Sequence, residues 1–289
     1  MGKWDVSLVT DMQRLFYDAN FFRGGDISGW DTMSASDMSR MFAHAKNFNG
    51  DLSKWDVSSV QSMYGMFWGA TLFNRNVSKW DVSNLQNANA MFSGASSFNG
   101  DLSEWDVSNV ENMQSMFNNA TAFNSDISYW DVSSVKNMNA MFNDATSFNT
   151  DLSRWNVSSV SSMKGMFYAT KAFSHCLCGA AWVNSNASKK RMFDESPGSI
   201  ATEVCEITTR TPSTATRTTT PKKLKPKSRK ELKSAVDEHI EHSADDDGAN
   251  NDEENTVCKK HSQTPKKKKK KSKESKKEVR LDRLACTKN

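Results

Sequence analysis

The apolar positions of this chain repeat. Trp4, Trp30, Trp55, Trp80, Trp105, Trp130 and Trp155 follow one another every 25 residues after a first step of 26, and the sites between them keep one order of apolar and polar residues. A fixed period of roughly 20–50 residues marks a solenoid, in which each unit packs on its neighbours. Within one copy, from Leu102 to Val107 (LSEWDV), apolar and polar residues alternate. That alternation predicts a short strand with Trp105 and Val107 inward and Glu104 and Asp106 outward. After Val107 the period changes. Val110, Met113, Met116, Phe117 and Ala120 fall on one stripe of a short helix. Ser108 and Glu111 can form a capping box at its start, as can Ser58 with Gln61 and Ser83 with Gln86, though Ser133 with Lys136 cannot. Gly69, Gly94, Asn119 and Asp144 precede the last alanine of the stripe in four successive copies. These residue types tolerate the left-handed conformation that ends a helix. The expected fold is an α/β repeat solenoid, each coil being strand, turn, short helix and a return loop containing Phe-Asn.

The apolar order L-x-x-W-x-V-x-x-V-x-x-M-x-x-M-F-x-G-A-x-x-F-N-x-D resembles the leucine-rich-repeat signature with aromatics substituted. It is more closely similar to the WDVSNV…NM..MF.GA..FN.DLS repeats of the BspA-type leucine-rich-repeat surface proteins, over roughly Trp4 to Ile200. That resemblance implies a right-handed coil of short parallel strands and short helices. It also implies a non-enzymatic scaffold for protein or glycan binding and adhesion at a cell surface.

Three regions are expected. Residues 1–175 hold about seven tandem coils with no N-terminal cap in sight, which would leave Trp4 and Val6 exposed, either at a truncated start or at an end that pairs with another chain. Residues 176–200 read as a degenerate C-terminal capping coil, in which Met192 and Phe193 echo Met166 and Phe167. Residues 201–289 contain no Phe, Trp or Tyr and carry charge in blocks, the composition of a disordered tail.

The net charge of +4 divides unevenly between these regions: residues 1–200 carry 15 Lys/Arg against 19 Asp/Glu, and the tail carries 23 against 15. The tail is Thr-rich from Thr208 to Thr220, acidic from Asp237 to Glu254, and basic around Lys222 and Lys223 and again at Lys266, Lys267, Lys268, Lys269, Lys270 and Lys271. Such basic runs suit nuclear import or contact with nucleic acid or another polyanion. The second reading is therefore an intracellular or nuclear interaction protein whose tail makes that contact. No apolar run is long enough to span a bilayer, and no apolar leader follows Met1, so the chain as written is expected in the cytoplasm or nucleus. With a truncated N-terminus it would be extracellular.

Within the repeats, the variable outward position before each tryptophan reads Lys54, Lys79, Glu104, Tyr129 and Arg154 in successive coils. With Trp68, an aromatic outside the inward pattern, these are the candidate partner-binding residues for an unidentified protein or glycan. The aspartates after the tryptophans (Asp5, Asp31, Asp56, Asp81, Asp106, Asp131) form a column, and Asp51, Asn76, Asp101, Asp126 and Asp151 form a second. Neither has the dense Gly-Asp pattern of calcium-binding rolls, so local bonds to turn backbone are expected rather than a metal. The asparagines Asn49, Asn74, Asn99, Asn124 and Asn149 read as a structural ladder, and the buried methionine stripe as core. His44 and His175 have no nucleophile or carboxylate recurring beside them, so no enzyme and no cofactor is expected. The five cysteines lie outside the tryptophan-marked repeats at spacings that match no zinc or disulfide framework, and reduced thiols are expected.

Overall fold

In the computed structural model, which describes residues 4–205, successive repeat units lie side by side in register. Parallel bridges link Asp11 to Asp37 and then run through Ser62, Asn87, Asn112, Asn137 and Ser162 to Ser188. Each unit contributes a single bridging residue to this column. The regular elements among the described residues are all at the C-terminal end: β1 (Cys176–Leu177), α1 (Ala180–Val183) and β2 (Ser199–Ile200), with β1 parallel to β2.

The segment expected to be a helix is a ribbon of β-turns. The N–H groups of Met113, Ser115, Phe117 and Asn119 donate to the carbonyls of Asn137, Asn139, Met141 and Asn143 in the next unit. Between them, the N–H groups of Met116, Asn118 and Ala120 close turns onto Met113, Ser115 and Phe117. Ser115 and Asn119 have φ of 55° and 56°, as the third residue of a type II turn requires. Arg40 and His44, Gly65 and Gly69, Ala90 and Gly94, and Ala140 and Asp144 repeat that pair four residues apart. An α-helix, with φ near −63° throughout, cannot accommodate it. Gly69, Gly94, Asn119 and Asp144 are thus left-handed as expected, but as turn residues and not as helix stops.

Spacing explains the difference. Units bridged like strands sit about 4.8 Å apart, whereas a helix with its side chains is about 10–12 Å wide. Helices would force the stack to splay on that side. Columns of rings hold it closed: Phe67–Phe92, Phe92–Phe117 and Phe117–Phe142 are 5.5, 5.7 and 5.7 Å apart, and Phe98–Phe123 and Phe123–Phe148 are 6.1 and 5.9 Å apart, all stacked. The inward stripe of Met113, Met116, Phe117 and Ala120 serves a turn ribbon as well as it would serve a helix.

The stretch Leu102–Val107 is not a strand either, since the Trp105 N–H closes a turn onto the Leu102 carbonyl at 3.1 Å. Its alternation holds nonetheless: Trp105 and Val107 are buried, Glu104 and Asp106 exposed. From Trp55 to Trp155, the indole at this position of each coil is anchored from the unit before. The Nε1–H of Trp105 donates to the Val77 carbonyl at 3.0 Å, and Trp80, Trp130 and Trp155 bond Leu52, Leu102 and Ile127 in the same way. The methionine stripe, including Met63, Met66, Met113, Met116, Met138 and Met141, is wholly buried.

At the C-terminal end the same devices continue with altered spacing. Trp182 on α1 donates to the Leu152 carbonyl at 2.7 Å, and Phe193 stacks on Phe167 at 5.4 Å. Cys178 and Cys205 form a disulfide across 27 residues, where reduced thiols were expected. The stacking accounts for it: residues about one period apart fall beside each other in neighbouring coils, so a pair matching no familiar spacing is brought together. The Cys205 N–H also donates to the Cys178 carbonyl at 3.0 Å. At the other end Trp4 is 56 % exposed, while Val6, expected to be exposed, is buried in the core.

Candidate interaction face

Each polar column of the repeat has structural work. Asp56 Oδ1 accepts from the N–H of Ser58 at 2.9 Å and from its hydroxyl at 2.6 Å. Asp81, Asp106 and Asp131 likewise accept the backbone N–H of Ser83, Ser108 and Ser133, each at 3.0 Å. In the second column Asp51, Asn76, Asp101, Asp126 and Asp151 cap the N–H two residues on. Hydrogen bonds from the hydroxyl and then the backbone of Ser83 hold Asp81 below the usual carboxylate range, and those of Ser133 do so for Asp131. For Asp101 the backbone N–H of Ser103 leads, with Lys79 adding attraction; for Asp51 it is Ser53, with Arg75 and Lys54. A third capping column, Asn87, Asn112 and Asn137 on the residues two further on, was not read from the sequence, because its members sit inside the presumed helix. Among the described residues no group of His, Cys, Asp or Glu is placed to hold a metal ion.

The positions preceding the tryptophans form one exposed strip. Lys54, Lys79, Glu104, Tyr129 and Arg154 all face solvent, Tyr129 at 73 % exposure. The structure pairs two of them: the Arg154 guanidinium lies 5.1 Å from the centre of the Tyr129 ring. Trp68 is not on this strip. It belongs to the turn ribbon, against His44 at 4.7 Å and beneath Arg40 at 5.8 Å. Arg40 Nη2 in turn donates to the Tyr64 hydroxyl at 2.7 Å, and Tyr17 meets His44 edge-on at 5.6 Å. Sequence reasoning missed this cluster because its contacts run between neighbouring coils, Arg40 and His44 from one and Tyr64 and Trp68 from the next.

Along the ribbon the outward residues change from coil to coil. Tyr64, Asn89, Gln114, Asn139 and Lys164 occupy one column; Trp68, Asn118, Asn143 and Tyr168 occupy a second, which the buried Ser93 interrupts. The ribbon thus presents aromatic and basic groups, then amides over small residues (Ala90, Gly94, Ala140), then aromatic and basic groups again. The amides are held in place: Asn137 donates to Gln114 Oε1 at 2.9 Å, and the Ser162 hydroxyl donates to Asn139 Oδ1 at 2.6 Å. At the far end a cavity of about 350 Å³ is lined by Ala140, Asn143, Lys164, Gly165, Tyr168, Lys190 and Arg191. The lysines assigned to polyanion contact, Lys222, Lys223 and Lys266 to Lys271, lie outside the described residues.

No helix among the described residues is long and apolar enough to cross a membrane. A search of curated proteins finds no match. A scan of protein families matches residues 1–105 and 91–202, the whole repeat region, to the family described as "Mycoplasma protein of unknown function, DUF285". The chain belongs to that family of tandem-repeat proteins.

Proposed function

We propose that this chain is a non-enzymatic solenoid scaffold that binds protein or glycan partners, in the manner of the BspA-type surface proteins its repeats resemble. One observation carries the reading. The buried rings recur from coil to coil, as do the methionines and capping aspartates apart from Ala88, Asn76 and Asn156, while difference between coils is concentrated in partly exposed columns such as Tyr64, Asn89, Gln114, Asn139 and Lys164. A constant frame bearing a variable row of side chains is how repeat proteins build extended binding surfaces. The Cys178–Cys205 disulfide favours an oxidising, extracellular setting over the cytoplasm or nucleus. It thus weighs against the reading in which the polybasic tail contacts nucleic acid.

The test is direct binding by the full-length chain to immobilised matrix proteins and a glycan panel, repeated with Trp68→Ala and with residues 206–289 removed. Retention on a ligand that survives tail removal but is weakened by the ribbon variant supports the reading. Binding that vanishes with the tail alone would transfer the function to the basic runs.

A further inference from the structure

The cavity at the C-terminal end of the ribbon joins features that the scaffold reading does not use. Lys164 and Lys190 stand at the same position of successive coils, both exposed, and neither ammonium has an ion-pair partner among the described residues. Arg191 lies over the Tyr168 ring with its guanidinium carbon 4.6 Å from the centroid, and its Nε donates to Asp194 at 3.2 Å. The Tyr168 hydroxyl donates to Glu195 at 2.8 Å. That bond fixes the ring at the edge of the cavity, and the adjoining floor is made of the smallest side chains, Ala140 and Gly165. Of the acidic groups nearby, Asp194 bonds Arg191, Glu195 bonds Tyr168, and Asp144, whose N–H donates to the Tyr168 carbonyl, does not line the cavity, so two lysines face a half-buried ring and the Asn143 amide.

We infer that this cavity is a subsite for an acidic sugar unit, carrying carboxylate or sulfate, within a longer glycan lying along the ribbon. The inference rests on the binding-scaffold reading and specifies one partner class for it. Lys164 and Lys190 receive the charge, a pyranose face lies against Tyr168, and Asn143 bonds ring hydroxyls. The coil spacing of about 4.8 Å is close to the length of one sugar unit, so the amides of Asn139, Gln114 and Asn118 would follow the chain away from the charged end.

The ribbon's composition selects this class over two others. A nucleic acid carries a charge at every unit and needs a continuous basic track, but the outward columns from Asn89 to Asn143 contain no lysine or arginine. A protein partner needs a desolvated apolar centre with large anchors, and the large exposed apolar side chains lie elsewhere, chiefly in residues 4–33. Amides, small residues and a ring at the end suit a hydroxylated chain with an acidic unit.

The experiment uses the full-length chain against hyaluronan (carboxylate only), dextran sulfate (sulfate only), neutral dextran and single-stranded DNA of matched length, at fixed ionic strength. Wild type is compared with Lys164→Ala/Lys190→Ala, with Tyr168→Ala, and with the conservative Lys164→Arg/Lys190→Arg; thermal unfolding verifies that each is folded. The expected result is binding of at least one acidic glycan, with neutral dextran and DNA weaker. The double alanine variant should weaken it about tenfold, with rescue by arginine. Which acidic glycan is retained tells carboxylate from sulfate. Glycan binding indifferent to acid groups and to Lys164 and Lys190 overturns the subsite but leaves the scaffold reading standing, as does binding of a protein ligand alone. DNA bound as tightly as glycan through the same lysines overturns it in favour of general polyanion attraction.

Discussion

Asn99 Oδ1 accepts the backbone N–H of Asn124, one coil on, at 2.8 Å. The same bond links Asn49 to Asn74, Asn74 to Asn99, Asn124 to Asn149 and Asn149 to Ser174, at 3.1, 3.0, 2.8 and 3.0 Å. The return loop after each Phe-Asn is thereby tied to its neighbour by a side chain, where bridge pairing does not reach. Asn99→Ala removes the acceptor and leaves the Asn124 N–H to water. Because the site is exposed, the cost should be modest, about 1 kcal/mol. Urea unfolding at neutral pH would measure it. Asn99→Asp keeps the acceptor and should cost less; an equal loss from both would show that the bond contributes nothing.

This ladder was legible in the sequence because Asn recurs at one position in five coils, and so were the inward residues, since Trp105, Met113, Met116 and Phe117 declare themselves by period alone. The turn ribbon was not. Val110, Met113, Met116, Phe117 and Ala120 satisfy a helix and a chain of type II turns equally, and intrinsic helix propensity did not decide between them. What decides is distance between coils, a tertiary quantity absent from any single repeat. The same gap hid the Cys178–Cys205 pair and the cluster of Arg40, Tyr64, Trp68 and His44, whose members meet only when coils are stacked.

The two left-handed positions of each coil, one in each of its successive turns, make opposite predictions according to the residue that occupies them. Gly69 has φ of 69°, and a Cβ there would stand 2.9 Å from His44 Nδ1. Gly69→Ala therefore adds strain of about 1–2 kcal/mol together with a displaced imidazole. Ala140 has φ of 53° and already bears that strain. Ala140→Gly should be neutral to stabilising by up to about 1 kcal/mol, the relief exceeding the added freedom of the unfolded chain. Calorimetric melting of both variants tests the turn assignment, because in a true helix Ala140→Gly would destabilise.

The capping aspartates give the fold a pH limit on the acid side. Asp5, Asp51, Asp81, Asp101 and Asp131 all lie below their ordinary value of 3.8 in the folded protein, held there by serine hydroxyl and backbone donors. A depressed carboxylate contributes stability above its unfolded pKa and loses it as pH falls through the folded one. The melting temperature should therefore be level through neutral pH and decline below about pH 4. Asn76 and Asn156 already cap without a charge. Asp81→Asn combined with Asp131→Asn should keep the turns and flatten the acid decline, and an unchanged profile would remove these carboxylates from the account.

The C-terminal coil depends on a covalent tie. Residues 176–205 contribute one short helix and a two-residue parallel pair, and the Cys178–Cys205 bond closes a separation of 27 residues. In the chain-entropy view, a closed loop of that size stabilises by about 2–4 kcal/mol. Cys178→Ser/Cys205→Ser, or a reductant, should therefore loosen this coil before the rest of the stack melts. Trp182 reports it, since its indole is wholly buried and bonded to the Leu152 carbonyl. Hydrogen exchange should accelerate between residues 176 and 205 on reduction, while amides near Trp105, three coils inward, remain protected, because stacked repeat units are held mainly by their nearest neighbours. Uniform acceleration along the stack would instead mean that the coils unfold as one unit with the cap as their keystone.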